Sequence, residues 1–220
     1  IFNHFTLAVP NTNDRYYQIP FGLHWSEVTA SSFMEVSYDG DVLAGEGEVE
    51  RSGYCIHAPM HRLSEAAACV LHTHMPFASA LARLKDQRIL PIGQTELGVA
   101  MQTAYDDEYT GPAFDPAEGE RLLGAIGDKS ILMMANHGAV TIGRNVAEAY
   151  DRMYYLERVA QVQLYAMWTG QPLHVLSQEV IDKSIAAFKK SPTYYGRPNA
   201  EHHFEALKRM LDREQPDYKD

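Results

Sequence analysis

Two continuous apolar runs of strand length, Ala66–Leu71 and Ile131–Ala135, constrain this chain more than any other feature. Runs this short and this apolar read as strands buried in a sheet rather than as surface ribbons. Both lead directly into histidine. The first continues as His72-Thr73-His74, and the second ends at Asn136-His137-Gly138. Buried strands that end this way carry ligand-capable side chains to the rim of a core.

The remaining elements surround these two. Phe5–Val9, Tyr16–Ile19 and Phe33–Val36 read as short strands, and Asp39-Gly40 supplies a hairpin turn before Val42-Leu43. A helix is expected over Ile56–Leu63, with Pro59 near its first turn, where a missing N–H costs little. Pro76 opens another at Phe77–Leu84, and Asp115-Pro116 caps a third, Glu118–Ile126, which Gly127 stops. The clearest helix runs from Val146 to about Thr169, with apolar residues at helical spacing, and shorter ones follow near Gln178–Lys189 and Ala200–Arg213. Strands mixed with helices, without regular βαβ alternation, imply a layered α/β domain with a mixed or antiparallel sheet.

Composition narrows the function classes. With 220 residues and 45% hydrophobic content, a single domain over 1–220 with a full core is expected. The sequence opens on Ile1 in what reads as mid-domain, so an upstream segment is expected. No apolar run reaches the roughly 18 residues of a membrane span, so no membrane partner is expected. A net charge of −10 without a basic stripe argues against nucleic acid. Cys55 and Cys69 lack CxxC spacing and read as buried free thiols, which favours a cytoplasmic location.

His72 and His74 stand one residue apart on an expected strand, where alternate side chains share a face, so both imidazoles can reach one ion. Neutral imidazole suits zinc and its first-row neighbours, and a catalytic zinc takes three protein ligands and leaves one position open. His137, beside Gly138 at the end of the second run, is placed to project into the same cleft.

Five segments then resemble the class II aldolase/adducin family over nearly the full length: Asn3-His4-Phe5-Thr6, Gly22 to Thr29, Cys55 to His61, Val70 to His74, and Ala135-Asn136-His137-Gly138. The resemblance implies a three-layer α/β/α sandwich with a central mixed, largely antiparallel sheet, and a homotetramer with active sites at subunit interfaces. It implies that His72, His74 and His137 hold a divalent ion, zinc first, with manganese, iron or cobalt as alternatives. It places His57 behind those ligands, orienting them. In family enzymes the metal acts as a Lewis acid toward a carbonyl or enediolate oxygen.

The sequence also departs from the sugar-phosphate aldolases it resembles. Their catalytic glutamate falls at Gly53, and their Ser-Ser-Glu is Arg51-Ser52-Gly53. Their phosphate cradle survives as Asn3, Gly22 and Ser52, but Phe21 stands at the threonine position and Arg51 at the first serine. Arg51 is either a carboxylate clamp or a solvated loop residue. A tyrosine proton donor falls near Thr95, with Glu96 as replacement acid or as a helix cap, and Tyr194-Tyr195 is a second aromatic candidate. His24 is expected at the entrance, and His202 and His203 on a solvent face. Two functions follow from the resemblance. One is a metal-dependent lyase cleaving a carbon–carbon bond of a small carbonyl or carboxylate substrate through a metal-stabilised enolate, by aldol cleavage or decarboxylation. The other is an adducin-like, non-catalytic oligomerisation or binding module with an inherited metal site.

Overall fold

The structure, a computed structural model, describes residues 3–190, 193–194 and 197–220. Its frame is an eight-stranded sheet built from β1 (His4–Ala8), β2 (Arg15–Gln18), β3 (Met34–Ser37), β4 (Val42–Ala44), β5 (Cys69–Thr73), β6 (Thr103–Asp106), β7 (Ile131–Met134) and β8 (Ala139–Gly143). The strands lie in the order β4-β3-β2-β1-β5-β8-β7-β6. All neighbours are antiparallel except the β6–β7 pair. Among the described residues, seven α-helices complete the fold: α1 (Arg51–Leu63), α2 (Pro76–Leu81), α3 (Gln94–Ala100), α4 (Pro116–Ile126), α5 (Val146–Trp168), α6 (Gln178–Lys190) and α7 (Asn199–Glu214).

Alternation along the central strands sorts the helices into two outer layers. Val70, Leu132, Met134, Val140 and Ile142 pack on one face with Ile56 and Met60 of α1 and Leu122 and Ile126 of α4. On the other face, Ile131, Met133 and Ala139 meet Leu156, Val159 and Ala160 of α5, while Cys69 and Leu71 meet its Ala149 and Met153. The two apolar runs are therefore buried on both sides, as their composition requires. The arrangement is the expected three-layer sandwich.

Several boundaries moved. Residues Glu65–Ala67 form a 3-10 turn, so β5 starts at Cys69 rather than Ala66. Helix α1 starts at Arg51, because the Glu50 carboxylate accepts the Gly53 N–H at 2.6 Å and caps it. Pro59 consequently sits in the middle of α1 instead of its first turn. A proline there leaves the carbonyl four residues back, that of Cys55, without its helical donor. Helix α4 crosses at this point, where a Cβ on Gly119 would fall only 2.5 Å from that carbonyl oxygen. The glycine permits a backbone approach that any side chain would block. Helix α3 and strand β6 had no distinct sequence signal, being short and of mixed polarity.

A buried polar column fastens α1 to the sheet. His61 Nδ1 lies 2.7 Å from the Ala67 carbonyl, which can only accept, so Nδ1 carries the proton. Its Nε2 then accepts from the Thr6 hydroxyl at 2.8 Å, and the Thr6 oxygen accepts from His57 Nδ1 at 2.7 Å. Burial pushes the His61 pKa down to about 4, against the pull of the Ala67 carbonyl, and takes that of His57 well below its ordinary value. An unfolded histidine titrates near about 6.5. Below that pH the unfolded chain gains protons that the folded chain refuses, so stability falls as pH drops from about 6.5 towards 4. Thermal unfolding of the metal-free protein across this window should show Tm falling with pH, and His61→Gln should make the fall shallower. An unchanged slope would show that His61 does not contribute.

Candidate metal centre

Three histidines converge where β5 and β7 end. His72 comes from β5, His74 lies just past its end, and His137 comes from the turn between β7 and β8. Their ring centroids are 4.7, 4.9 and 5.0 Å apart. One ring nitrogen from each lies within 4.8 Å of the others, and this is the one such gathering of three histidine, cysteine or acidic groups among the described residues. Nitrogens around a tetrahedral zinc sit about 3.3 Å apart, so a small closing motion brings these into range.

Local backbone chemistry explains the convergence. Met134 N–H donates to the Gly138 carbonyl at 2.9 Å and closes the turn, with Asn136 in the left-handed region at φ 57°. Asparagine tolerates that conformation better than most residues. A Cβ on Gly138 would lie 2.5 Å from the Thr73 carbonyl oxygen and 2.9 Å from the His74 ring. Only glycine lets the turn press this closely on the end of β5. Asn3 accepts the His74 N–H at 2.9 Å, and Arg83 Nη1 donates to the His137 carbonyl at 3.2 Å and the Ser79 carbonyl at 2.7 Å.

Protonation fits an ion. His72 Nδ1 donates to the Ala139 carbonyl at 3.0 Å, which leaves its Nε2 lone pair for a ligand. Burial lowers the pKa of all three rings: His72 well below its ordinary value, His137 to about 4, and His74 more modestly. Repulsion among the histidines adds to this, and Arg83 acts on both His74 and His137. All three are thus neutral near pH 7, the state metal ligation needs.

The structure also shows what fills the place of a side chain at position 53. A Cβ on Gly53 would lie 2.9 Å from His4 Cγ, because the His4 ring covers that glycine. His4 pairs with His72 across the β1–β5 ladder, and their rings stack at 5.7 Å. Its Nε2 is 3.0 Å from the Glu50 carboxylate. Burial would raise the Glu50 pKa, but hydrogen bonds from His4, the Gly53 N–H and Ser52 overcome it and hold the carboxyl at about 2. Glu50 is therefore ionised, and it caps α1 and holds His4 at once.

The other candidate residues divide. Ser52 donates its hydroxyl to Glu50 at 2.7 Å, and Arg51 donates to the Phe114 carbonyl at 3.2 Å. Gly22, at φ 98°, lines a small depression with His4, Glu50 and Trp25. His57 sits fully buried beside His4, ring centroids 5.7 Å apart. Glu96 is buried at the start of α3 with its carboxylate turned back onto Gly93, and it is not among the groups gathered at the three histidines. His24 caps the short 3-10 turn Trp25–Glu27. His203 is not on a solvent face: it is half-buried and bonds Asp151 at 2.7 Å, while His202 is exposed. The Tyr194-Tyr195 pair falls outside the residues whose side chains are described. Sequence reasoning missed Glu50, Arg83 and Tyr109, whose ring centroid is 6.1 Å from that of His137. None belongs to a spacing pattern; only His4, inside a matched segment, carried a signal.

Comparison with known proteins gives the same picture. The model of the "Class II Aldolase and Adducin N-terminal domain" matches residues 1–164. The chain is 34% identical over 223 residues to the "Putative aldolase class 2 protein PA3430" of Pseudomonas aeruginosa, covering all of this chain and 84% of that one. It is 32% identical to alpha-adducin of Rattus norvegicus over 96% of this chain but only 30% of the adducin. Among solved structures, an aldolase II superfamily protein from Pseudomonas syringae superposes with a TM-score of 0.89 at 33% identity, covering all of this chain and 87% of that one. The L-fuculose 1-phosphate aldolase of Glaciozyma antarctica shares the fold, with a TM-score of 0.80 at 20% identity, over 99% and 83% of the two chains. The chain belongs to the class II aldolase and adducin N-terminal domain family.

Proposed function

We propose that the chain is a divalent-metal-dependent lyase that cleaves a carbon–carbon bond of a small carbonyl or carboxylate compound, by aldol cleavage or decarboxylation. The observation that carries this reading is the convergence of three neutral imidazoles with no fourth protein ligand closing the set among the described residues. A purely structural zinc site would normally be closed by four protein ligands. Zinc is the first choice, with manganese, iron and cobalt as alternatives. The ion, when bound, would supply Lewis-acid polarisation of a substrate oxygen.

The chain's own residues supply the rest. Asn3 and Arg83 fix the backbone of His74 and His137, so two ligands are held from their main chains. Ser52 and Gly53 orient Glu50, which orients His4 beside His72. Two side chains are proposed to move protons: Tyr109 beside His137, and Glu96, which would first have to swing away from Gly93. Gly22, Arg51 and Ser52 remain the proposed substrate-facing edge, Arg51 and Ser52 as its framework while their donors stay on the Phe114 carbonyl and Glu50. A homo-oligomer, taken as a tetramer, is proposed to form through the exposed face of α5, where Val162, Tyr165 and Trp168 lie open. The same face favours the second reading, an adducin-like binding module. The buried free thiols Cys55 and Cys69 support a cytoplasmic location.

Metal analysis with a screen for retro-aldol and decarboxylation turnover tests the reading. One ion per chain is expected, lost in His72→Ala together with any turnover. A wild-type protein that binds no ion, or turnover that survives His72→Ala, would overturn it. Gly138→Ala should weaken metal binding by at least about tenfold, since forcing the turn off β5 separates His74 from His137. Gly53→Glu alone should lower the metal-free Tm by several degrees, roughly 1–3 kcal/mol of overpacking against His4. Adding His4→Ala should recover much of that loss, whereas additive losses would show that the two positions do not share one space.

A further inference from the structure

The charge balance around the three histidines is one-sided. Histidine ligates as a neutral imidazole, so an ion held by these three would keep its full positive charge. Three of the nearby carboxylates are already committed, while the exposed Glu108 lines the same depression as His137. Glu50 binds His4 and the start of α1, Glu118 binds Arg121, and Glu157 accepts the N–H groups of Phe77 and Ala78. Arg83 adds a further cation on the exposed side of the site. Its Nη1 is spent on the Ser79 and His137 carbonyls, which pins the guanidinium beside a ligand histidine. Its Nε and Nη2 have no hydrogen-bond partner among the described residues.

We propose that Arg83 is the anion-binding residue of this site and that the substrate is a small carboxylate rather than a phosphate ester. The inference rests on the metal reading above and narrows it to a substrate class. A fixed guanidinium with open donors suits the planar, two-oxygen edge of a carboxylate. A guanidinium pairs with phosphate too, but the remaining oxygens of a phosphate dianion need further donors, such as short hydroxyls and N–H groups. Here the donors that could build one are used internally, Ser52 on Glu50 and Arg51 on the Phe114 carbonyl. Arg83 and His74 are both exposed and Arg83 holds the carbonyl of the half-buried His137, so it lies on the open side of the site, whereas the buried His4 lies on its inner side.

The cobalt-loaded protein, titrated with glycolate, its neutral counterpart glycolamide and inorganic phosphate while the cobalt absorption is followed, tests this. The wild type should bind glycolate more tightly than glycolamide or phosphate. Arg83→Gln keeps a donor for the His137 carbonyl and removes the charge. It should retain one cobalt per chain yet weaken glycolate by about ten- to a hundredfold, with glycolamide unmoved. Arg83→Ala provides a second variant, and its glycolate-to-glycolamide ratio should collapse in the same way. A preference for glycolate that survives in both variants would overturn the inference while leaving the metal reading intact. Tighter binding of phosphate than glycolate would overturn the carboxylate assignment. A wild-type chain that takes up no cobalt would remove the metal reading and this inference together.

Discussion

The contact between the end of β5 and the turn after β7 governs the rest of the site. Thr73 and Gly138 meet backbone to backbone, with no room for a Cβ on the glycine. Because they meet, His74 and His137 come within ligand range, and the β5–β8 ladder sets His72 opposite Val140. The His72 side chain then finds the Ala139 carbonyl, which fixes its tautomer. Ligand identity, ligand spacing and ligand protonation thus descend from one close approach between two strand ends. Behind that approach the two outer helical layers bury β5 and β7 on both faces.

Around this contact single polar groups serve several neighbours. Glu50 is the clearest case, accepting the Gly53 N–H of α1 and facing His4 Nε2 at 3.0 Å with one carboxylate. The same carboxylate accounts for Ser52, whose hydroxyl has a fixed internal task. Gly53 belongs to this group as well, because the His4 ring occupies the space its side chain would take. Positions 4 and 53 thus share one space, and the ring of His4 requires that residue 53 carry no side chain.

How much of this was legible beforehand follows from the range of the interactions involved. The apolar runs at Val70–Leu71 and Ile131–Met134, the Asp115 cap and the long α5 are local patterns, and they were readable to within a few residues. The histidine triad was readable because His72 and His74 alternate on a strand and because the surrounding segments resemble a family. The start of α1 was not, since its cap is a glutamate, outside the usual capping preferences. Arg83 and Tyr109 were invisible because each is placed by a tertiary contact, with the His137 carbonyl and the His137 ring respectively. Nothing in their sequence neighbours announces that contact. Arg51 was legible as a cation but not as one turned to the Phe114 carbonyl.

The position of β5 also has a kinetic meaning. It lies in the middle of the sheet between β1 and β8, and the contacts that build the site join positions 67 and 71 residues apart in the chain. The β1–β2 and β7–β8 ladders join neighbouring strands and need only short loops to close, whereas β1–β5 and β5–β8 must wait for long ones. The histidines therefore come together late in folding, after the local ladders and helices exist to receive them. Before that moment the chain has no ligand cluster to offer an ion, and afterwards an ion would favour only the finished sheet. A bound metal would then act chiefly as a brake on unfolding, holding closed the strands that were last to meet.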